Sequence, residues 1–307
     1  MTEPRARLEA VLAGLGPVAV AVSGGVDSLT LAALAHRVSY DFRLIASRCE
    51  NRLRSGAARA GDTMSGTNRP EIVSSGLPLM VHAVSPAVPD EATARVRAEA
   101  AREGWTLRVI EAGEFADPAY RANPVDRCFF CKTNLYGAIR RVTDRQIVSG
   151  ANLDDLGEYR PGLDAAREHG VRHPYVEAGI GKAAVRALAR DLGLGAVAEL
   201  PAAPCLSSRV ETGLRIEPET LAFIHAVERL IGGALDGAPG PRRAVRCRVR
   251  AAGIVVELDP DSLAALAPSR PALSAAIAAR APARLAGQAI AFAPYRVGSA
   301  FLTGDAR

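Results

Sequence analysis

The chain has 307 residues, with 38 Lys or Arg against 33 Asp or Glu, which gives a net charge of +5 at pH 7. This length suffices for one large domain or for two of ordinary size. A mean hydropathy of +0.07 and the lack of apolar runs of about 20 residues exclude a membrane-spanning class. The charged N-terminus has no secretory signal core, so we expect a cytoplasmic globular protein. The mild, arginine-based charge suits small anionic ligands and argues against nucleic acid.

A glycine-rich turn lies between a predicted strand over 17–22 and a predicted helix that begins near residue 29. Its residues are Ser23, Gly24, Gly25, Val26, Asp27 and Ser28. The glycines let the backbone approach an anion, the serines supply hydroxyl donors, and the helix amides point at the turn. The turn lacks the lysine of a Walker A loop. It predicts a phosphate site, with an ordinary strand-to-helix turn as the alternative, and Asp27 would hold a metal or cap the helix.

A segment over about 47–80, rich in Arg, Gly, Ser and Asn, has little periodicity. Loops longer than about 15 residues are uncommon inside a compact sheet, so we interpret it as an insertion that interrupts the expected second strand. Beyond it, helix and strand patterns alternate. They predict helices over 88–102, 128–142 and 182–192, and strands over 105–110 and 146–149. This alternation predicts an α/β domain with a doubly wound parallel sheet over 1–203.

From about residue 204 the pattern changes. It predicts a helix over 218–231 with strands near 244–250, 254–258 and 288–292, so we expect a smaller α+β domain over 204–307 for substrate binding or oligomerisation. In parallel sheets, ligands bind beyond the carboxyl ends of the strands. The turn over 23–28 and the loop over 150–155, each preceded by a predicted strand, should therefore share one edge of the sheet.

Three of the five cysteines form a candidate site. Cys128 and Cys131 are spaced so that they share one face of a helix, and Cys205 lies at the predicted boundary between the domains. Nearby positive charge would favour thiolates; it comes from Arg127, Lys132 and Arg209. Three thiolates without an evident fourth ligand favour a [4Fe-4S] cluster with one open iron.

Other interpretations of the same cysteines stay open. A zinc site of the Cys3His type would take its fourth ligand from His169, His173 or His225. The thiols could instead perform disulfide or persulfide chemistry, or be buried and unrelated. A lone CxxC does not separate these alternatives, whereas its combination with Cys205 and a phosphate-type turn favours the cluster.

Several longer motifs follow one another along the chain. They are SGGVDS at 23–28, AVSPAVP at 83–89, NPVDRCFFCK at 123–132, GANLDDLGEYRPG at 150–162, PCLSSR at 204–209 and YRVGS at 295–299. Through them the chain resembles the LarE-type ATP-dependent sulfur transferases, which belong to the PP-loop ATP pyrophosphatases and complete the nickel-pincer nucleotide cofactor. The resemblance implies that ATP, with Mg²⁺, adenylates a carboxylate of pyridinium-3,5-biscarboxylic acid mononucleotide. A sulfur nucleophile then displaces AMP to leave a thiocarboxylate.

The resemblance also implies the source of the sulfur and the residues of the site. A cluster on Cys128, Cys131 and Cys205 would carry an extra sulfide, or Cys205 would give up its own sulfur; the presence of all three favours the cluster. The implied ATP-binding residues are those of the turn with Asn152, Asp154 and Asp155. The implied substrate-binding residues are Ser208, Arg209, Glu228, Arg248 and Arg250. The implied catalytic residues are Cys205, Asp27, Arg209 and Glu228.

Arg248 and Arg250 would hold the nucleotide phosphate with their guanidinium forks, or else lie on a solvated strand edge. Asp154 and Asp155 would orient the nucleotide or serve the structure. Relatives also imply a homo-oligomer. The competing functions are a tRNA thiolase, an amide-forming ligase of the NAD or GMP synthetase type, and a non-catalytic zinc- or nucleotide-binding regulator.

Overall fold

The computed structural model describes residues 3–39, 76–157, 160–201, 204–236 and 245–296. Four strands form a parallel sheet in the order β3-β2-β1-β4. They are β1 (Val18–Ala21), β2 (Leu79–Val84), β3 (Thr106–Glu111) and β4 (Gln146–Val148). The helices of this region are α1 (Glu3–Leu15), α2 (26–39), α3 (Asp90–Glu103), α4 (Pro118–Arg121), α5 (Arg127–Arg140), α6 (Pro161–Glu168), α7 (Pro174–Glu177), α8 (Lys182–Asp191) and α9 (Gly195–Ala198). The α/β class and the parallel sheet are confirmed, and the arrangement is consistent with a doubly wound fold.

The strand order places the candidate site. The chain runs from β1 to β2 to β3 on one side and returns to add β4 on the other side of β1. The order therefore reverses between β1 and β4, and such a switch point opens a crevice beyond the carboxyl ends of the two strands. The turn over 23–28 follows β1 and the loop over 150–155 follows β4. The predicted shared edge is confirmed.

The predicted end of the insertion, at residue 80, lies two residues too far along the chain. β2 pairs in parallel with β1, with Ala19 opposite Leu79 and Ala21 opposite Val81. Leu79 and Met80, which the sequence pattern assigns to the insertion, belong to this strand, and Met80 is fully buried in the core. Residues 40–75, which include most of the predicted insertion, lie outside the described residues.

The second region has an α+β arrangement over its described residues. Strands β5 (Val245–Arg250) and β6 (Gly253–Leu258) are antiparallel, and β7 (Ile290–Pro294) pairs in parallel with β6. The helices are α10 (Pro218–Ala234), α11 (Pro260–Ala265) and α12 (Arg270–Ala278). Ala87 and Tyr120 from the first region are part of its apolar core, so the two regions pack together. Within the described ranges, none of the helices combines the length and apolarity that crossing a bilayer requires.

His82 of β2 ties the end of β1 to α3. Its Nδ1 lies 2.8 Å from the Val22 carbonyl oxygen, and its Nε2 lies 2.9 Å from the Thr93 hydroxyl. A carbonyl oxygen only accepts, so Nδ1–H donates to Val22 and Nε2 accepts from Thr93 in a neutral ring. Burial lowers the pKa of His82, although the bond to Val22 opposes this shift.

We expect acid to destabilise the fold through His82. Because its folded pKa lies below the unfolded value, its contribution is complete above about pH 6.5 and is lost as the pH falls through the folded pKa. His82→Gln should therefore reduce the difference in unfolding free energy between about pH 5 and pH 8. Urea titrations at both pH values measure this difference. An equal difference in wild type and variant would contradict the prediction.

Candidate functional site

The two serine hydroxyls of the glycine turn (23–28) hold the turn itself together. Ser28 Oγ lies 3.1 Å from the Ser23 amide nitrogen, from Ser23 Oγ and from the Gly25 carbonyl oxygen. The Leu29 amide donates to Gly25, so α2 begins directly after this residue. The first amides of α2 therefore lie at the turn without helical partners of their own, as an anion site requires.

Gly24 is required by its conformation and by its neighbours. Its φ is +85°, and a Cβ atom there would lie 2.9 Å from the Ala92 carbonyl oxygen and 3.3 Å from Val96 Cγ2 of α3. Arg95 of the same helix donates to the Gly24 carbonyl at 2.7 Å. The turn is thus packed directly on α3, with no room for a side chain.

Asp27 joins the glycine turn to the loop after β4. Its Oδ1 accepts from Asn152 Nδ2 at 3.2 Å, and its Oδ2 forms an ion pair with Lys182. Its carbonyl oxygen accepts from the Tyr175 hydroxyl at 2.9 Å. At Gly150, a Cβ atom would lie 3.0 Å from the Asp27 carbonyl carbon, so the loop and the turn touch. The alternative that Asp27 caps the helix is wrong, because its carboxylate is directed to Asn152 and Lys182.

Asp154 and Asp155 both have structural partners. Asp154 accepts from the Lys182 amide at 2.7 Å and so caps the start of α8. Asp155 accepts from the Asn152 amide at 3.0 Å and pairs with Arg160 at 3.0 Å. Whether they also orient a nucleotide stays a prediction. Glu158 and Tyr159 of the same motif lie outside the described residues.

Lys182 is a site residue that the sequence patterns did not assign. It is one of only two lysines in a chain whose other basic residues are all arginines. The rarity of lysine was the one signal in the sequence that could have singled out this residue. In the structure Lys182 forms an ion pair with Asp27.

Cys128, Cys131 and Cys205 lie close enough to interact electrostatically, and we call the region that they surround the thiol pocket. Cys128 and Cys131 lie near the start of α5, as predicted, and Cys205 immediately precedes a 3₁₀ turn over Leu206–Arg209. Burial raises the pKa of Cys131 to about 12, with Lys132 opposing the shift and Cys205 adding to it. Burial and Cys205 also raise the pKa of Cys128. For Cys128 and Cys131 burial thus opposes the predicted preference for thiolates and outweighs the nearby positive charge.

Asn123 brings the two halves of the thiol pocket together. Its side-chain Nδ2 donates to the backbone carbonyl oxygens of Glu211 at 2.8 Å and Leu214 at 2.9 Å. Its backbone carbonyl oxygen accepts from the Gly213 amide. Its Oδ1 accepts from Arg127 at the start of α5. Asn123 has a φ of 56°, and among the described residues it is the only non-glycine with a positive value. A buried side chain in this unusual conformation thus fixes the CxxC helix against the segment after Cys205.

We expect Asn123→Ala to lower the free energy of unfolding by about 2–4 kcal/mol, because it removes buried hydrogen bonds and leaves their partners unpaired. Asn123→Gly should cost less, since glycine accepts a positive φ. Asn134→Ala is the matched control; this asparagine lies within α5 and bonds to Asp117 at 2.7 Å. Its loss should cost about 1 kcal/mol in urea unfolding. Equal costs at Asn123 and Asn134 would contradict the prediction.

The three histidines proposed as zinc ligands have other partners. His173 Nδ1 lies 2.9 Å from Ser149 Oγ, and His225 Nε2 lies 2.8 Å from a Glu91 carboxylate oxygen. The His169 ring packs against Tyr136. Zinc needs all its ligands about 2.0–2.3 Å from one centre, and over the described ranges no three Cys, His, Asp or Glu side chains are placed for a single metal ion. The structure does not favour the Cys3His alternative.

The predicted substrate residues form one hydrogen-bonded cluster around the 3₁₀ turn after Cys205. Arg209 binds both carboxylate oxygens of Glu228, at 3.0 and 3.2 Å, and donates to Ser208 Oγ at 3.1 Å. Arg248 donates to the Ser208 carbonyl at 3.0 Å. Arg209 and Arg248 are 3% and 6% exposed, so a solvated strand edge is excluded for Arg248. Arg209 also donates to the carbonyl oxygens of Pro204 and Cys205.

Glu257 and Arg246 complete this cluster, and neither was predicted. Glu257 is buried and accepts from Arg248 at 2.7 Å and from Arg250 at 2.9 Å. Arg246 lies two residues before Arg248 on β5 and therefore on the same face, with its guanidinium 6.0 Å from the centre of the Tyr295 ring. Burial and Arg209 lower the pKa of Arg246. Four guanidinium groups thus lie near two carboxylates, which makes this face attractive to anions.

Comparison with known proteins gives partial matches. No family model matches the chain. Over 152 residues it is 38% identical to the uncharacterized protein slr1717 of Synechocystis, covering 48% of this chain and 56% of that protein. It is 29% identical over 143 residues to the uncharacterized protein MJ0830 of Methanocaldococcus jannaschii, covering 45% and 53%.

A third relative has a functional name. It is the pyridinium-3,5-bisthiocarboxylic acid mononucleotide synthase of Lactiplantibacillus plantarum, 29% identical over 133 residues, covering 42% of this chain and 46% of that protein. The chain thus spans about half the length of the curated relatives it matches. A distant relationship to this synthase supports the resemblance that the motifs indicate.

Proposed function

We propose that the chain is an ATP-dependent sulfur transferase that converts the carboxylates of pyridinium-3,5-biscarboxylic acid mononucleotide to thiocarboxylates. One observation carries the proposal: the 3₁₀ turn after Cys205 belongs both to the thiol pocket and to the arginine cluster. Arg209 donates to the Cys205 carbonyl at 3.1 Å, and Arg248 to the Ser208 carbonyl at 3.0 Å. A sulfur source and an anion-binding face therefore meet within a few residues.

The chemistry explains why an anion site and a thiol pocket would be combined with a phosphate-type turn. A carboxylate is a poor electrophile, because its oxygen is a poor leaving group. Attack of the carboxylate on the α-phosphorus of ATP would release pyrophosphate and form an acyl adenylate. Attack of sulfur on the acyl carbon would then expel AMP and leave the thiocarboxylate. Mg²⁺ would neutralise phosphate charge during the first step, with Asp27 as an oxygen ligand of the kind it prefers.

The thiol pocket has a donor set suited to a [4Fe-4S] cluster. Each cysteine of such a cluster binds a different iron, so the sulfurs need not converge on one centre. When bound, the cluster would supply sulfide for transfer, while the chain's own Arg209, Arg248 and Arg250 would hold the substrate near Cys205.

A second route to the same product is sulfur donation by Cys205 itself. The specific observation in its favour is exposure: Cys205 is exposed, whereas Cys128 and Cys131 are partly buried. In this route the Cys205 sulfur attacks the acyl adenylate, and its Cβ–S bond then breaks as the Cα proton is lost, which leaves dehydroalanine. The cluster-based and sacrificial routes differ in their cofactor and in the fate of Cys205.

The test is a single-turnover reaction of the anaerobically purified chain with Mg²⁺, ATP and the biscarboxylic acid mononucleotide. We expect AMP, pyrophosphate and a product in which sulfur replaces carboxylate oxygen, detected by mass spectrometry. Nicotinamide mononucleotide is the control, because it has no carboxylate to adenylate. Pyrophosphate release that depends on tRNA instead would favour a thiolase.

Sedimentation of the same preparation tests the proposed homo-oligomer.

A further inference from the structure

The glycine turn contains no positively charged side chain to bind the phosphates of its proposed ligand. A site for the triphosphate of ATP normally combines backbone amides with a cation, yet the one charged side chain of the turn is the negative Asp27. A Walker A loop supplies a lysine from its own sequence. Besides the Mg²⁺ proposed above, a side-chain cation for the phosphates has to come from elsewhere in the chain.

Lys182 supplies positive charge at this position in space. Its ammonium contacts Asp27 Oδ2, although the two residues are 155 positions apart in the chain. Asn152 holds the other carboxylate oxygen at 3.2 Å, and the Tyr175 hydroxyl holds the Asp27 carbonyl at 2.9 Å. The loop after β4 therefore holds the carboxylate that the ammonium contacts, and α7 holds the backbone of the same residue in the first turn of α2.

The backbone of Lys182 is also fixed by a hydrogen bond. Its amide donates to Asp154 Oδ2 at 2.7 Å, and a Cβ atom at Gly181 would lie 3.2 Å from Asp154 Oδ1. The start of α8 is thus fastened to the loop that follows β4.

The ion pair is open to solvent. The side chains of Lys182 and Asp27 are 35% and 24% exposed. Exposed ion pairs contribute little to stability, so the fold does not need this contact, and a phosphate group has access to the ammonium. A lysine suits the role because its compact ammonium can turn among several oxygens, whereas the planar fork of an arginine requires one fixed geometry.

We propose that Lys182 is the phosphate-contacting cation of the glycine turn and that Asp27, held by Asn152, positions its ammonium. This inference rests on the proposed use of ATP. It assigns the turn a lysine that its own sequence lacks, and it explains why the chain keeps a lysine at this position among so many arginines.

Calorimetric titration of the full chain with ATP and with adenosine tests this proposal. We expect Lys182→Met to weaken ATP binding about ten- to hundredfold, the size expected for hydrogen bonds to a charged group, and to leave adenosine binding within about twofold. Lys182→Arg should recover part of the ATP affinity, because it restores charge without the same geometry. Arg190→Met is the matched control; it lies on α8 but pairs with Glu199 away from the turn.

The outcomes separate the two proposals. If wild type binds adenosine but ATP no more tightly, the proposed ATP site and the role of Lys182 both fail. If wild type binds ATP tightly and Lys182→Met binds it equally well, the role of Lys182 alone fails. Equal loss of ATP and adenosine affinity would show a structural role instead. Lys182→Gln, which retains a polar side chain, replaces the methionine variant if thermal melting shows that the latter is unfolded.

Discussion

Cys205→Ala is expected to reduce thiocarboxylate formation by at least about a thousandfold, as expected when an attacking group is removed, and to leave pyrophosphate release largely intact. In the proposed mechanism the thiol belongs to the transfer step, whereas adenylation depends on the glycine turn with Asp27 and Lys182. The variant should accumulate AMP from hydrolysed adenylate without incorporating sulfur into the substrate. Parallel assays of pyrophosphate and of the sulfur-containing product measure the two steps.

Companion variants separate the two sulfur sources. With a cluster, Cys128→Ala and Cys131→Ala should also lose iron, acid-labile sulfide and transfer in anaerobic preparations. With sacrificial donation, only Cys205 matters, and the wild-type chain loses the mass of H₂S after turnover. Cys247→Ala is the control, because this cysteine is fully buried in the second core and is not one of the three candidate ligands. Undiminished transfer by Cys205→Ala would overturn both routes.

Gly24→Ala is expected to lower the free energy of unfolding by about 2–4 kcal/mol and to abolish nucleotide binding. An alanine at a φ of +85° is strained, and its methyl group would meet the Ala92 carbonyl oxygen at 2.9 Å. Relief requires α3 to move away from the turn, and this disturbs the amides of α2. Urea unfolding and calorimetric ATP titration measure the two effects.

Gly25→Ala is the matched control for stability. A Cβ atom at Gly25 would meet only Ser23 Oγ, at 3.8 Å, and Gly25 does not have a positive φ. Its replacement should therefore change the unfolding free energy by less than about 1 kcal/mol. The prediction fails if the two glycine variants are equally stable.

The parts of the fold that follow from local pattern could be predicted from the sequence. The apolar run over 17–22 and the turn after it produce β1 and α2, and the spacing of Cys128 and Cys131 places both near the start of α5. The second strand was harder, since a polar segment precedes the short apolar run of β2 and hides where it begins. Only pairing with β1 shows that Leu79 and Met80 belong to the strand.

The candidate site depends on contacts that no periodicity encodes. The contact of Lys182 with Asp27 and the bonds of Asn123 to residues 88 and 91 positions away arise only when distant segments meet. Burial of the thiols has the same origin. For this reason the basic neighbours of Cys131 predicted a thiolate, whereas the packed pocket raises the pKa of that thiol to about 12.

The contacts of Asn123 also determine when the thiol pocket can exist during synthesis. Its amide bonds to the carbonyls of Glu211 and Leu214, so the pocket cannot close until that part of the chain has left the ribosome. Cys128 and Cys131 emerge well before Cys205. Any group that requires all three thiols can therefore complete its set of ligands only after Cys205 has emerged, so its insertion is a late event relative to the synthesis of α5.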